Sequence, residues 1–169
     1  VSGTSISFGT AVVFNAANSS FPVAVFDSTN NKVVIVYSAP GSTNYPTSIV
    51  GTVSGTSISF GTAVVVDTVS TSWFYATFDS TNNKIVIAYN DAGNSNYGTA
   101  IVGTVSGTSI SFGAKAVFEA ATVVYVTATF DSNAGKVVIG YRDDGNSSYG
   151  TAIVGTVSGT SISFGTAVA

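Results

Sequence analysis

Hydrophobic and polar residues alternate over short runs of this chain, and no run carries a helical stripe. In Ser109-Ile110-Ser111-Phe112 every second residue is apolar, and the same tetrad recurs as Ser57-Ile58-Ser59-Phe60 and Ser161-Ile162-Ser163-Phe164. A period of two turns one face of an extended strand to a core. Applied to residues 73–118, the pattern predicts strands over Trp73–Asp79, Lys84–Tyr89, Tyr97–Val105 and Thr108–Phe118. The first two are joined by the polar turn Ser80–Asn83, the next two by the loop Asp91–Asn96, and the last two by Ser106-Gly107. The Asn82-Asn83 pair tolerates positive φ, which suits a tight hairpin. In the corresponding place Asn133-Ala134-Gly135 departs from that pattern, leaving room for another turn type.

These segments repeat. Val-Ser-Gly-Thr-Ser-Ile-Ser-Phe-Gly begins at Val1, Val53, Val105 and Val157, a spacing of 52 residues without insertion or deletion. The same spacing relates Phe26, Phe78 and Phe130; Lys32, Lys84 and Lys136; and Tyr37, Tyr89 and Tyr141. The chain therefore divides as a single repeat domain into copies 1–52, 53–104 and 105–156, with a surplus outer strand at 157–169. Four antiparallel strands per repeat of about 40–50 residues is the signature of a β-propeller blade. A β-solenoid and an intertwined fibre are the competing architectures. The expected fold is all-β, with three four-stranded blades per chain. Phe26, Phe78, Phe130, Val34, Val86, Val138, Ile49, Ile101 and Ile153 are expected between the blades.

Composition narrows the chemistry. Of 169 residues 8% are charged, against about 25% in ordinary domains. There is no Cys, Met or His, which removes disulfides, thiolate nucleophiles, Cys-based zinc sites and imidazole bases. A net charge of −3 has the wrong sign for tracking nucleic-acid phosphates. No stretch approaches the roughly 20 apolar residues of a membrane-spanning helix. A start at Val-Ser-Gly without any Met reads as a processed chain or a piece of a longer one.

The recurring segments F-D-S-(T-N-N)-K-V-V-I-x-Y, N-Y-G-T-A-I-V-G-T and V-S-G-T-S-I-S-F-G resemble those of β-propeller repeat proteins over the whole chain. Arrays of this kind resemble viral or environmental tandem-repeat proteins, and more distantly lectin and sialidase-like propellers. Val53–Phe60 stands where a sialidase Asp-box would, with the Gly and the terminal aromatic but without the Asp. The resemblance implies a location outside the cell or on a virion. A sialidase-type site would need an Arg cluster, whereas Arg142 is the one Arg present, so no enzyme is expected.

Three blades leave two apolar faces uncovered, so the chain is expected to self-associate as a homodimer closing a six-bladed ring. The rival is a segment of a longer single-chain ring. Four copies of the outer strand compete for three places, and either the N-terminal or the C-terminal copy is surplus. Differences between the copies concentrate in two connections, strand four to the next strand one and strand two to strand three. In a propeller these share one end of the ring. The first connection carries Asn15, Asp67 and Glu119 at one aligned position and Phe21, Trp73 and Tyr125 at another. The second carries Ala39, Asp91 and Asp143, preceded by Ser38, Asn90 and Arg142. Aromatics beside carboxylates and amides suit a carbohydrate surface, where a ring stacks on C–H groups and polar groups take hydroxyls. The competing reading makes the aromatics packing residues and the charges a wetted rim. The expected ligand-binding set is Phe21, Trp73, Tyr125, Asp67, Glu119, Asp91, Asp143 and Arg142, with no metal and no cofactor. A lectin-like module and a purely structural repeat remain the two function classes. The only route to hydrolysis would be a carboxylate pair such as Asp91 with Asp143 across a blade gap. Asp27, Asp79 and Asp131 are assigned to turns.

Overall fold

The computed structural model describes residues 3–39 and 44–169, and they are all-β, with one short 3-10 turn at Ala92–Asn94. The strands are β1 (Ser20–Asp27), β2 (Lys32–Ala39), β3 (Tyr45–Ser54), β4 (Ser57–Phe60), β5 (Val64–Val65), β6 (Phe74–Asp79) and β7 (Lys84–Asp91). They continue with β8 (Tyr97–Ser106), β9 (Ser109–Phe112), β10 (Ala116–Asp131), β11 (Lys136–Asp143), β12 (Tyr149–Ser158) and β13 (Ser161–Phe164). All pairings are antiparallel. The first sheet runs β1-β2-β3-β4 with β5 added to β3; the second runs β13-β12-β11-β10-β8-β7-β6 with β9 added to β8.

Beneath this two-sheet description lie three meanders in the expected register: β1–β4, β6–β9, and the C-terminal half of β10 with β11–β13. Each is followed by a segment that returns to its third strand. Val64 pairs with Ser48, Ala116 with Ala100, and Val168 with Ala152, three pairs related by the repeat. The second and third meanders merge because β10 is continuous through the connection. The sequence pattern ended a strand at Phe118, whereas the chain breaks at Gly113 and then extends unbroken from Ala116 to Asp131. Copy three has β-forming Thr-Val-Val-Tyr from Thr122 where copy two has Ser-Thr-Ser-Trp from Ser70.

The hairpin turns are built alike. Asp79 Oδ1 accepts from the backbone N–H groups of Thr81 and Asn82, and Asp27 does the same for Thr29 and Asn30. Asp131 receives Asn133 and Ala134 in the third copy. Asn31 and Asn83 take the left-handed residue of the turn, and Gly135 takes it at φ 64°. The divergent third turn is thus the same turn with Gly as the left-handed residue, a place any of the three can occupy cheaply.

Two apolar cores lie between consecutive meanders. Strand β7 feeds both: Ile85, Ile87 and Tyr89 join Val34, Val36 and Val50 on one side, while Val86 and Ala88 join Val137, Ile139 and Tyr141 on the other. Ile49, Ile101 and Ile153 are buried, as are Val34 and Val86. Phe78 and Phe130 are half-buried against these cores, and Val138 is half-buried. Phe26 departs from the expectation at 54% exposed, because it lies in the first meander on the face that no preceding meander covers.

The C-terminal copy of the outer strand, β13, pairs with β12 and completes its own meander. Residues 3–19 of the N-terminal copy and its continuation hold no strand, and Ile6 and Phe8 are exposed. Val1 and Ser2 lie outside the described residues. The surplus copy is therefore the N-terminal one.

Consecutive units touch backbone to backbone at one glycine each. A Cβ on Gly61 would collide with the carbonyl oxygen of Thr108, and Gly9 and Gly113 stand likewise against Thr56 and Thr160. Gly61→Ala must push two meanders apart; we expect a loss of about 1–3 kcal/mol in urea unfolding, the range of overpacking substitutions. An unchanged midpoint would mean that this approach is not tight.

Candidate functional site

The eight residues singled out in the sequence fall into two environments. The carboxylates are engaged inside the structure. Asp67 Oδ2 accepts the hydroxyl of Tyr89 at 2.7 Å and the ammonium of Lys115 at 2.8 Å. Lys115 also reaches Asp91 Oδ2 at 3.0 Å, and Asp91 Oδ1 receives the Gly93 N–H at the start of the 3-10 turn. In the next copy Glu119 accepts the hydroxyl of Tyr141 at 2.9 Å, and Asp143 receives the Gly145 N–H. Asp91 and Asp143 are both buried. The lysine was not singled out in the sequence. Its signal is copy-specific, since Ala63 and Ala167 stand at the aligned positions.

The tyrosines of this network form one aligned set, and all three phenols are pushed above their ordinary range. Burial is the first cause in each. For Tyr89 the hydrogen bond to Asp67 adds to it, followed by the charges of Asp67 and Asp91. For Tyr141 the bond to Glu119 adds, then the charges of Glu119 and Asp143. At Tyr37 burial acts alone, because Asn15 stands where the others have a carboxylate and bonds Ser19 instead. Partial burial pulls the Lys115 ammonium down, but its bonds to Asp67 and Asp91 outweigh this and hold it above the ordinary lysine value.

The aromatics are arranged differently. Phe21 and Tyr125 are 57% and 58% exposed, at aligned bulges in β1 and β10 where the register slips by one residue. Both have left-handed backbones, φ 52° and 55°, conformations that bulky side chains rarely adopt. Trp73, in the same aligned position of copy two, is half-buried against the core and meets the Tyr125 ring edge-on at 4.5 Å. Asn90 holds its backbone: Asn90 Oδ1 accepts the Trp73 N–H at 3.1 Å and the Thr71 hydroxyl at 2.6 Å. The Arg142 guanidinium lies 5.3 Å from the Tyr125 ring centroid and forks onto Asp144 at 2.8 and 3.2 Å. Asp144 in turn is held below the usual carboxylate range, chiefly by that hydrogen bond.

The structure thus brings together Trp73, Tyr125 and Arg142. Phe21 projects from the first meander, outside that cluster, and the oxygens of Asp67, Asp91, Glu119 and Asp143 serve the scaffold. Beside the aromatic cluster a depression of about 430 Å³ is lined by Tyr125, Gly140, Arg142, Gly150, Ala152 and Val168. Among the described residues no group of three acidic side chains is placed to hold a metal ion.

The raised phenols give stability a defined pH dependence. In the unfolded chain a tyrosine titrates near pH 10, and in the fold it keeps its proton longer. Their contribution is therefore complete below about pH 10 and is lost as pH rises through the folded values, at about 1.4 kcal/mol per pH unit for each proton held. Urea unfolding from pH 8 to 12 should show stability falling above pH 10, and Tyr89→Phe should make that fall shallower. Parallel curves for the two proteins would remove Tyr89 from this account.

Compared with protein-family models and with curated proteins, the sequence matches none.

Proposed function

We propose that this chain is a self-assembling module of β-propeller type, three blades per copy and six in a homodimer, that binds a neutral carbohydrate through the aromatic residues of its variable connections. An extracellular or virion surface is where such a module would act. The reading is supported above all by Phe21 and Tyr125, each a large aromatic at a left-handed bulge residue and more than half exposed. A strained backbone of this kind costs roughly 1–3 kcal/mol, and no core packing offsets it at an exposed ring. Tyr125 supplies a face for stacking, Trp73 braces it from the side, and Arg142 with Asp144 adds donors and acceptors within reach of a hydroxyl-bearing ligand. No catalytic step is part of the proposal.

A purely structural repeat is the second reading, favoured by the internal engagement of Asp67, Asp91, Glu119 and Asp143. Titration with neutral mono- and oligosaccharides separates the two. Trp73 is the one Trp of the chain, so its emission reports on the cluster. Binding should perturb it at millimolar sugar, and Tyr125→Ala should weaken binding about tenfold, the loss of roughly 1.4 kcal/mol expected of a modest aromatic anchor. Tyr125 is the better site to remove, since Trp73 also packs against the core. A broad panel without any effect on the emission would leave the structural reading in its place.

A further inference from the structure

The junction between the second and third meanders shows how an aromatic residue locks one unit onto the next. Phe118, from the segment that returns to β8, covers Gly98 so closely that a Cβ there would run into its ring. The other side of Phe118 packs on Tyr141 and Phe164, with ring centroids 5.1 and 5.8 Å away. At the preceding junction the aligned residues are Val66 and Pro46, joined by a backbone hydrogen bond of 2.8 Å. The returning segment therefore lies over this position at both junctions, and where the position is glycine a phenylalanine covers it.

Each uncovered face carries half of this lock. On the third meander, Gly150 aligns with Gly98 and has nothing within 4 Å of its Cβ position. Around it Val154 is 46% exposed where the aligned Val102 is fully buried, and Ala152 is exposed where Ala100 is buried. On the first meander, Phe14 aligns with Phe118. It packs on Tyr37 and Phe60 at 5.1 and 6.1 Å, repeating the contacts of Phe118 with Tyr141 and Phe164. Its remaining side is open, and it is half-buried where Phe118 is buried.

We propose that the open face of the third meander is the docking site for the first meander of a second copy, with Phe14 of that copy filling the slot over Gly150. This rests on the self-assembly in the reading above and names its contact. The occupant is selected by the internal junction that has a glycine at this position, where Phe118 covers Gly98. Phe14 is the aromatic at that phase of the repeat on the other bare face. The contact joins two different surfaces, so two copies close on each other only through two such contacts. Residues 3–12 of the incoming copy duplicate 159–168, so the Val168–Ala152 pair already occupies the place of Val12. The incoming segment must therefore leave its own seat, where Gly9 meets Thr56, and turn aside before Phe14.

Sedimentation equilibrium of the wild type, Gly150→Leu and Phe14→Ala tests this. Wild type should reach twice 17.0 kDa at micromolar concentration. Gly150→Leu fills a slot that is empty within one chain, so it should keep the circular-dichroism spectrum of the wild type while raising the dissociation constant at least tenfold. Phe14→Ala should do the same, and Gly150→Leu carries the test if Phe14→Ala loses its fold. A wild type that stays at 17.0 kDa overturns the self-assembly and the slot together. A wild-type dimer that Gly150→Leu leaves equally tight overturns the slot alone. Larger assemblies abolished by Gly150→Leu support the slot and overturn closure by two copies.

Discussion

A sheet whose two faces are both apolar must be covered twice, and the remainder of this structure depends on that constraint. Strand β7 shows it most fully, with Ile85, Ile87 and Tyr89 facing one neighbour and Val86 and Ala88 the other. Covering a side chain such as Val or Phe contributes about 1.5–3 kcal/mol. A middle meander gains this on both sides and an end meander on one. The same residues therefore change environment along the chain without any change in sequence: Val102 is buried and Val154 half-exposed on identical strands. What distinguishes the ends is the number of neighbours.

Covering a face also dictates where polar groups go. The returning segment after each outer strand brings Asp67 and Glu119 over the tyrosines of the following meander, where the phenol hydroxyls need acceptors. Once Lys115 is added, Asp67 and Asp91 share a cation at the edge of the core. A position that looks free to vary in the linear repeat is thus tied to its own unit: an acidic residue where it meets a tyrosine hydroxyl, and Asn15 in the first copy, bonded to Ser19. Variation between copies was a sound guide to the connections and a poor guide to which of their side chains point outward.

The aromatic positions divide along the same line. Trp73 lies at a junction between two meanders and is partly covered, with Asn90 fixing its backbone. Phe21 and Tyr125 project from bulges. Packing and display are both present at one aligned position, decided by the local backbone and by which neighbour stands beside it.

Period-two alternation and the 52-residue repeat were enough to place the hairpins of the described residues, because turn chemistry and strand patterning are local properties of the chain. The Asp-x-Thr-Asn-Asn turns, the paired third and fourth strands and the buried Ile49, Ile101 and Ile153 follow from them. The continuity of β10 through the connection between two meanders did not, since it depends on pairing with two different strands at once. Nor could identical residues 1–12 and 157–168 reveal which copy of the outer strand would pair, because the choice lies in connectivity. The left-handed backbones at Phe21 and Tyr125, the hold of Lys115 on two carboxylates and the bare glycine at Gly150 belong to the tertiary structure alone. Each depends on the strand pairing and sheet-face coverage that the finished fold imposes, or at Gly150 leaves out.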